Sequence, residues 1–283
     1  MALHDDLAAA RTLLFVPGDR PERFVKAVAS GADLVVLDLE DAVAPEAKSD
    51  ARARVAAELS GGARYVVRIN AVGTPWYDDD LTMVATHECA VMVPKAEDPA
   101  TLAGIAAGLP ASGPLVALLE TAAGILAAPA IAAAPGVSRL AFGSFDLAAQ
   151  LGVEPTDRTA LQAARSALVL SSAAAGLSPP IDGVTGAVAD DALLVAETDH
   201  ARRLGFGARL CIHPRQVPLV AQALRPPEAQ LTWARAVLAA SSSPGVAVVD
   251  GEMVDKPVLD RARRLLAGHD SFQASRGPDL APS

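Results

Sequence analysis

The stretch GADLVVLDLEDAV, residues 31–43, is an apolar run that ends abruptly in the acidic residues Asp38, Glu40 and Asp41. A strand that is almost continuously apolar is buried on both faces, as in a parallel sheet covered by helices. Carboxylates at its carboxyl end therefore lie at the edge of the sheet where α/β proteins place their active sites. The stretch predicts an α/β fold with its functional groups at that edge.

Seven further strand-like segments occur along the chain, and Ala-rich stretches with apolar residues every three or four positions separate them. This alternation is typical of βα units. The predicted strands are RTLLFVPG from Arg11, ARYVVRIN from Ala63, AVMVPKAE from Ala90, PLVALLET from Pro114, SRLAFGSFD from Ser138, SPPIDGV from Ser178 and ARLCIHP from Ala208. Eight such strands favour a closed TIM (β/α)₈ barrel, because a doubly wound sheet would leave more polar edge strands.

The composition changes at RPPEAQ, residues 225–230, where two prolines interrupt the helical pattern. We predict a barrel catalytic domain over residues 1–225, a C-terminal extension, or lid, over 226–267 and a flexible tail over 268–283. Within the extension we expect a helix to about Ala240, a Ser-Pro-Gly turn, a short strand in GVAVVDGEMV and a last helix from about Lys256 to Ala267.

The composition indicates which partners, cellular location and cysteine state to expect. The net charge of −9 argues against nucleic acid or an anionic membrane as a partner, because both need concentrated Lys and Arg. No apolar run is long enough to span a membrane, and two Asp near the start do not fit a signal peptide, so a cytoplasmic location is expected. Cys89 and Cys211 lie in apolar surroundings and are expected to be buried, reduced thiols.

Polar residues follow nearly every predicted strand, and in a barrel such positions converge on one mouth. The set comprises Asp38, Glu40, Asp41, Arg68, Asn70, Lys95, Glu97, Glu120, Asp146, Asp182 and His213. The sequence contains no Ser-His-Asp set, no Cys-rich metal pattern and no GxGxxG after a strand. An alternative is that these residues are helix caps and solvated loop residues.

Glu120 and Asp146 follow adjacent strands, so their carboxylates can face one point. Paired carboxylates without His or Cys favour Mg²⁺, which acts as a Lewis acid on substrate oxygens. The alternative is a metal-free network in which both carboxylates pair with Arg68 and Lys95.

The basic residues suggest how an anionic substrate is handled. Arg68 offers a permanent planar cation suited to a carboxylate or a developing oxyanion. Lys95 could form a Schiff base, but neighbouring carboxylates keep a lysine protonated, which favours a counter-ion role. His213 precedes Pro214, and a loop-orienting role is favoured over general base catalysis.

Eight segments together resemble the citrate lyase β-subunit group of the HpcH/HpaI aldolase superfamily, which includes malyl-CoA and citramalyl-CoA lyases. The segments are RTLLFVPGDRPERF, GADLVVLDLEDAV, VVRIN, VMVPKAE, LLETAAG, FGSFDLAAQLG, CIHPRQ and GEMVDKPVLDRA. The resemblance covers nearly the whole chain. It implies a TIM barrel assembled as a homotrimer or a hexamer.

The resemblance also assigns roles to individual residues. It implies Mg²⁺ bound by Glu120 and Asp146, substrate held by Arg68 and Glu120, and a supporting role in catalysis for Asp38. It further implies that Phe15, Arg20 and Lys26 contact the nucleotide part of CoA. For the last two residues, a solvated cationic helix face is an equally simple explanation.

In the malyl-CoA and citramalyl-CoA lyase-like branch, the extension covers a neighbouring subunit's site and delivers a catalytic acid that matches Asp255 in GEMVDKP. Asp255 also stands where a helix N-cap would, just before Pro257. The two roles are compatible.

The sequence therefore predicts a Mg²⁺-dependent carbon–carbon lyase that cleaves a 3-hydroxyacyl-CoA thioester of the malyl, citramalyl or citryl type into an acyl-CoA and a 2-oxo acid. Three alternatives stay open. They are a citryl-acyl-carrier-protein lyase subunit with an acyl-carrier protein as partner, a malyl-CoA thioesterase, and a catalytically silent homologue that binds CoA esters.

Overall fold

All eight predicted barrel strands are confirmed, and they close into one parallel barrel in chain order, with the eighth strand pairing with the first. The computed structural model describes residues 3–110, 113–241 and 248–276, with side chains up to residue 269. The barrel strands are β1 (Thr12–Pro17), β2 (Leu34–Asp38), β3 (Val66–Arg68), β4 (Ala90–Val93), β5 (Leu115–Leu119), β6 (Val137–Phe142), β7 (Ile181–Asp182) and β8 (Ala208–Cys211).

Helices surround the barrel, as expected for βα units. They are α1 (Leu3–Ala9), α2 (Phe24–Val28), α3 (Lys48–Leu59), α4 (Tyr77–Val84), α5 (Pro99–Gly108), α6 (Ala122–Ala132), α7 (Ser144–Leu151), α8 (Gln162–Ala174), α9 (Asp191–Leu204) and α10 (Gln216–Ala223). Single 3₁₀ turns precede α2 (Pro21–Arg23) and α3 (Pro45–Ala47).

Several helix ends follow directly from local sequence chemistry. Asp98 caps α5 by accepting from the backbone N–H groups of residues 100 and 101, and Thr121 caps α6 by accepting from Gly124. Gly152 and Gly205 end α7 and α9 in the left-handed conformation, which a residue without a side chain adopts at little cost.

The hydrophobic core has two layers. An outer layer lies between the strands and the helices. An inner layer fills the barrel with the alternate side chains of the strands, including Val36, Val66, Met92, Leu118 and Leu210. Because this interior is packed, small molecules have access only to the rims of the barrel.

Helix α1, which the sequence analysis did not predict, closes the amino-terminal end of the barrel. Leu3, Leu7 and Ala10 pack with the inner core. The buried guanidinium of Arg139 donates from Nη1 to the carbonyls of Leu7 and Ala10, at 2.8 and 2.6 Å. A functional site therefore lies at the opposite, carboxyl end.

The chain forms two compact units, residues 1–224 and 225–283. The second contains α11 (Glu228–Ala240), two short strands β9 (Val248–Val249) and β10 (Glu252–Met253), and α12 (Lys256–Arg276). Its small core consists of Ala234, Val237 and Ala262.

Two details of the predicted extension are wrong, and one lies outside the described residues. Within the predicted strand GVAVVDGEMV, residues 248–253 form an antiparallel hairpin rather than a single strand, because Asp250 and Gly251 both adopt a positive φ and reverse the chain. Helix α12 continues past Ala267 to Arg276, so the predicted tail is helical over residues 268–276. One Gly costs a helix only about 1 kcal/mol, which is too little to end it at Gly268. The Ser-Pro-Gly turn lies within residues 242–247.

Within the described residues, no helix combines the length and apolar character needed to cross a membrane.

We expect both cysteine thiols to be unreactive in the folded protein. Cys89 and Cys211 are buried and unpaired, and burial raises the pKa of each thiol to about 12. Because only the thiolate is nucleophilic, a disulfide reagent added at about pH 8 should modify neither thiol until denaturant is added, when both should react. Rapid modification of the native protein would contradict the packing described here.

Candidate active site

A cavity of about 350 Å³ opens at the carboxyl end of the barrel. Its charged lining comes from Asp38, Asp41, Arg68, Glu120 and Asp146. Its apolar lining includes Phe15, Leu118, Phe142, Val184, Leu210 and Ile212. The five charged residues end or follow four different strands, so the barrel brings together groups that are far apart in sequence.

Arg68 is locked in place by the acidic end of β2. Its Nε and Nη2 each donate to one oxygen of Asp38 at 2.7 Å, a bidentate pair that fixes the plane of the guanidinium. Nη1 lies 3.1 Å from Glu40 Oε2, and the guanidinium stacks 4.7 Å from the ring centre of Phe15. Burial would lower the pKa of Arg68, but Asp38, Glu40 and Asp41 outweigh it and raise that pKa. Arg68 is a permanent cation at the cavity wall.

Lys95 lies between two carboxylates rather than free in the cavity. Its Nζ is 2.7 Å from Glu40 Oε1 and 3.4 Å from Asp146 Oδ2. Burial lowers the pKa of Lys95, but the hydrogen bond and charge of Glu40, followed by the charge of Glu120, raise it overall. A protonated ammonium is not a nucleophile, so this geometry supports the counter-ion role over the Schiff base.

The backbone of Lys95 is also unusual, with a φ of 49° in the left-handed region. This conformation costs a non-glycine residue on the order of 1–2 kcal/mol. It lets the Lys95 N–H donate to Glu120 Oε1 at 2.9 Å while the side chain reaches Glu40. The strained residue thus connects the acidic ends of β2 and β5.

Glu120 is buried among other acids. Burial raises the pKa of its carboxyl to about 8, and the charges of Glu40 and Asp146 add to the effect. The side chain lies against Gly143, where a β-carbon would come within 2.4 Å of Glu120 Oε2. Gly143 therefore makes room for the carboxylate at the point where β6 passes into α7.

The donor set fits a hard divalent cation. The charge of Asp146 disfavours the ionised form of Glu120, and a cation bound between the two carboxylates would offset this repulsion. Within the described residues, no group of three or more His, Cys, Asp or Glu side chains converges as a preformed cage. Two carboxylates with open positions are nevertheless how Mg²⁺ is often held, because it keeps several water or substrate ligands.

Other predicted site residues do not line the cavity. Asp182 is buried in ion pairs with Arg165 at 3.0 Å and Arg209 at 2.6 Å, which take both of its oxygens, so the prediction that it faces the mouth is wrong. Asn70 donates to Asp80, and Glu97 accepts from Thr121. His213 is exposed, and its Nδ1 accepts from the N–H of Arg215, as expected of a loop-orienting residue.

The three residues that the resemblance assigns to CoA fall into two groups. Phe15 lines the cavity beneath Arg68. Arg20 and Lys26 are exposed in the turn and helix that follow β1, and neither lines the cavity. A role at the cavity entrance stays a prediction for these two.

Asp255 caps α12, as its position in the sequence indicates. Its Oδ1 accepts from the N–H of Val258 at 3.0 Å, and its side chain is exposed. The cap involves only one carboxylate oxygen, so it leaves a catalytic role open.

Sequence reasoning missed residues that shape the site without contributing a charged group to the cavity. Gly143 is one, and a glycine directly after a strand in FGSFD is a cue that could have identified it. Lys48 is another: it begins a helix rather than ending a predicted strand, and only the folded structure shows where its side chain goes.

Comparison with known proteins agrees with the fold. The family model described as HpcH/HpaI aldolase/citrate lyase matches residues 11–214. The chain is 36% identical over 277 residues to a (3S)-malyl-CoA thioesterase of Cereibacter sphaeroides, covering 94% of this chain and 96% of the relative. It is 32% identical over 305 residues to an L-malyl-CoA/beta-methylmalyl-CoA lyase of the same species, covering 93% and 96%.

A crystal structure of the protein CitE from Mycobacterium tuberculosis, in complex with magnesium, acetoacetate and coenzyme A, superposes with a TM-score of 0.82. The two chains are 39% identical, with 93% of this chain and 99% of the other covered. The chain thus belongs to the HpcH/HpaI aldolase/citrate lyase family, and it is an enzyme of the lyase class.

Proposed function

We propose that this protein is a Mg²⁺-dependent lyase that cleaves a 3-hydroxyacyl-CoA thioester of the malyl, citramalyl or citryl type into an acyl-CoA and a 2-oxo acid. The observation that carries the proposal is the pairing of a fixed cation, Arg68, with two converging carboxylates, Glu120 and Asp146, around one cavity. The magnesium and coenzyme A in the related crystal structure support both the cofactor and the thioester.

Glu120 and Asp146 would hold the metal. When bound, Mg²⁺ supplies a Lewis acid that polarises substrate oxygens. In cleavage the substrate hydroxyl gives up its proton to solvent water, and the bond between the hydroxyl-bearing carbon and the α-carbon breaks. The electron pair of that bond becomes the enolate of the departing thioester, and Arg68 stabilises the negative charge as it develops.

The enolate must then gain a proton at carbon. We assign this step to Asp255, delivered by the C-terminal extension of a neighbouring subunit in a homotrimer or hexamer. In the reverse direction the same carboxylate removes a proton from the acyl-CoA, as reversibility requires. Asp38 acts through Arg68, because both of its oxygens hold the guanidinium.

Substitution of Asp255 separates catalysis from helix capping. Asp255→Asn keeps an oxygen that caps α12, so we expect unchanged stability and a loss of turnover of about 10²–10⁴-fold, the usual contribution of a general acid or base. Asp255→Ala should lose turnover equally and should also lose about 1 kcal/mol of stability with the cap. Steady-state rates and thermal melts measure the two effects, with Asp260→Asn on the same helix as the control.

Turnover by Asp255→Asn that equals the wild-type rate would remove Asp255 from the mechanism and leave it a cap. Mg²⁺ affinity should be the same in both variants, because Asp255 is not a proposed metal ligand.

The thioesterase is the second candidate, and the similarity to (3S)-malyl-CoA thioesterase favours it specifically. The same cation and acids would then direct water at the thioester carbonyl, and the products would be free CoA and a hydroxy acid. A lyase makes acyl-CoA and a 2-oxo acid without free thiol, so the products separate the two reactions. An acyl-carrier-protein partner would show as activity with the carrier thioester and none with CoA esters.

The reverse condensation tests the proposal directly. The protein with Mg²⁺ is incubated with acetyl-CoA or propionyl-CoA and with glyoxylate, pyruvate or oxaloacetate, and the CoA esters are analysed by mass spectrometry. We expect a 3-hydroxyacyl-CoA from one of these pairs. Absence of any condensation product, with hydrolysis of malyl-CoA to free CoA, would replace the lyase with the thioesterase. Binding of CoA esters without any turnover would indicate the silent homologue.

A further inference from the structure

Lys48 is a buried ammonium outside the cavity. It is the first residue of α3, and only 5% of it is exposed. Its Nζ donates to two backbone carbonyls, those of Leu39 and Glu40, both at 2.7 Å. The ring of Trp76 covers it at 5.1 Å, close enough for a cation–π contact.

The two carbonyls belong to the turn that presents the acidic cluster. Asp38 ends β2, and its own oxygens accept from the N–H groups of Glu40 at 2.9 Å and Ala42 at 3.2 Å. These hydrogen bonds join residues within the turn, and Lys48 adds two bonds from α3 to carbonyls of the same turn. The backbone of residues 38–42 is therefore fixed through both N–H groups and carbonyls.

The turn matters for the candidate active site because it carries Glu40. Among the ion pairs of the described residues, Glu40 alone contacts both Arg68, at 3.1 Å, and Lys95, at 2.7 Å. A shift of its backbone by about 1 Å would loosen both contacts, and misplacement on that scale can cost about a hundredfold in rate.

The positive charge of Lys48 also affects the acidic residues around it. Neutral donors would suffice to tie down two carbonyls, and a buried charge is costly unless nearby charges compensate it. Burial lowers the pKa of Lys48, while the carboxylates of Asp38, Glu40, Asp80 and Asp41 oppose that effect. These are largely the acids of the site, so the ammonium offsets their repulsion without occupying the cavity.

We propose that Lys48 is a positioning residue for the reaction: it sets Glu40, and through Glu40 the orientations of Arg68 and Lys95. The inference rests on the proposed function, because catalysis is where its effect is measured. Lys48 does not touch the cavity, so its contribution should appear in the rate of the chemical step rather than in substrate binding.

The test compares Lys48→Met with Arg54→Met on the same helix. Arg54 also donates to a backbone carbonyl, that of Asp19 at 2.7 Å, but it is exposed and contacts none of the acids of the site. We expect Lys48→Met to lower kcat by about tenfold to a hundredfold with KM little changed, and Arg54→Met to leave kcat unchanged. Both rates are measured well below each variant's melting temperature.

Further readouts keep the proposal testable if Lys48→Met does not fold or if the protein catalyses no cleavage. Lys48→Gln keeps a neutral donor, so it should fold, but its side chain is one bond shorter than that of Lys48 and carries no charge, so it should still lose rate. Wild-type kcat in a folded Lys48→Gln or Lys48→Met would overturn the proposal. If the wild type cleaves no thioester, the proposed function fails. A crystal structure of the variant then decides the positioning separately, by whether Glu40 leaves Arg68 and Lys95 or keeps both contacts.

Discussion

Replacing Arg68 with alanine is expected to lower kcat/KM by about a thousandfold or more. Removal of one preorganised group that stabilises a developing oxyanion typically costs about 10²–10³-fold, and Arg68 also organises its neighbours. Without it, the buried carboxylates of Asp38 and Glu40 lose their shared partner. An unpaired buried charge costs about 3–5 kcal/mol, so the variant should also be markedly less stable.

Two further substitutions serve as a comparison and a control for Arg68→Ala. Arg68→Lys keeps the positive charge but cannot form the bidentate pair with Asp38, so we expect an intermediate loss of rate with better stability than the alanine variant. Arg215→Ala removes an exposed arginine whose ion pair with Asp191, at 2.9 Å, is half in solvent, and it should change neither rate nor melting temperature appreciably. Wild-type kcat/KM in Arg68→Ala would exclude Arg68 from catalysis.

Glu120→Gln is expected to abolish the response to Mg²⁺ while making the metal-free protein more stable. Burial and the charges of Glu40 and Asp146 raise the pKa of Glu120 from 4.5 to about 8, so its ionised form is disfavoured in the folded state. The destabilisation therefore begins as the pH rises above 4.5 and is complete above about 8. Gln is neutral, and its oxygen can still accept from the Lys95 N–H.

The stability difference should be on the order of 5 kcal/mol at high pH and should vanish at low pH. Mg²⁺ should raise the melting temperature of the wild type and not that of Glu120→Gln, because loss of a direct ligand lowers affinity by at least about a hundredfold. Thermal melts with and without Mg²⁺ at several pH values measure both effects, with Glu154→Gln as a surface control. A Mg²⁺-induced shift of wild-type size in Glu120→Gln would exclude Glu120 as a metal ligand.

Much of the fold could be predicted from the sequence because local patterns determine it. Residues 34–37 of β2 are all apolar, and the carboxylates that end and follow this strand in GADLVVLDLEDAV must lie at the carboxyl end of the barrel. The same reasoning identified Arg68, Glu120 and Asp146, each of which follows or ends a confirmed strand.

What could not be predicted depends on contacts across the fold. Asp182 ends β7 as an apparent site residue, but Arg165 and Arg209 approach it from α8 and β8 and bury it. Lys48 resembles any solvated lysine at a helix start until the turn after β2 is in place. The left-handed backbone of Lys95 likewise has no cue in the sequence VPKAE.

The extension contains a cue that the sequence analysis missed. Asp250-Gly251 between two short apolar stretches is the usual signal of a two-residue hairpin turn, and both residues adopt a positive φ there. The N-cap at Asp255 was predictable because capping requires only the residue type and the helix that follows.

One measurement tests the central claim most directly. The purified protein with Mg²⁺ is offered malyl-CoA, citramalyl-CoA and citryl-CoA, any 2-oxo acid is trapped with phenylhydrazine, free thiol is measured in parallel, and the reactions are repeated with EDTA. We predict that one ester yields a 2-oxo acid without free thiol and that EDTA abolishes the reaction. Free thiol without a 2-oxo acid, or no product from any ester, would contradict the lyase.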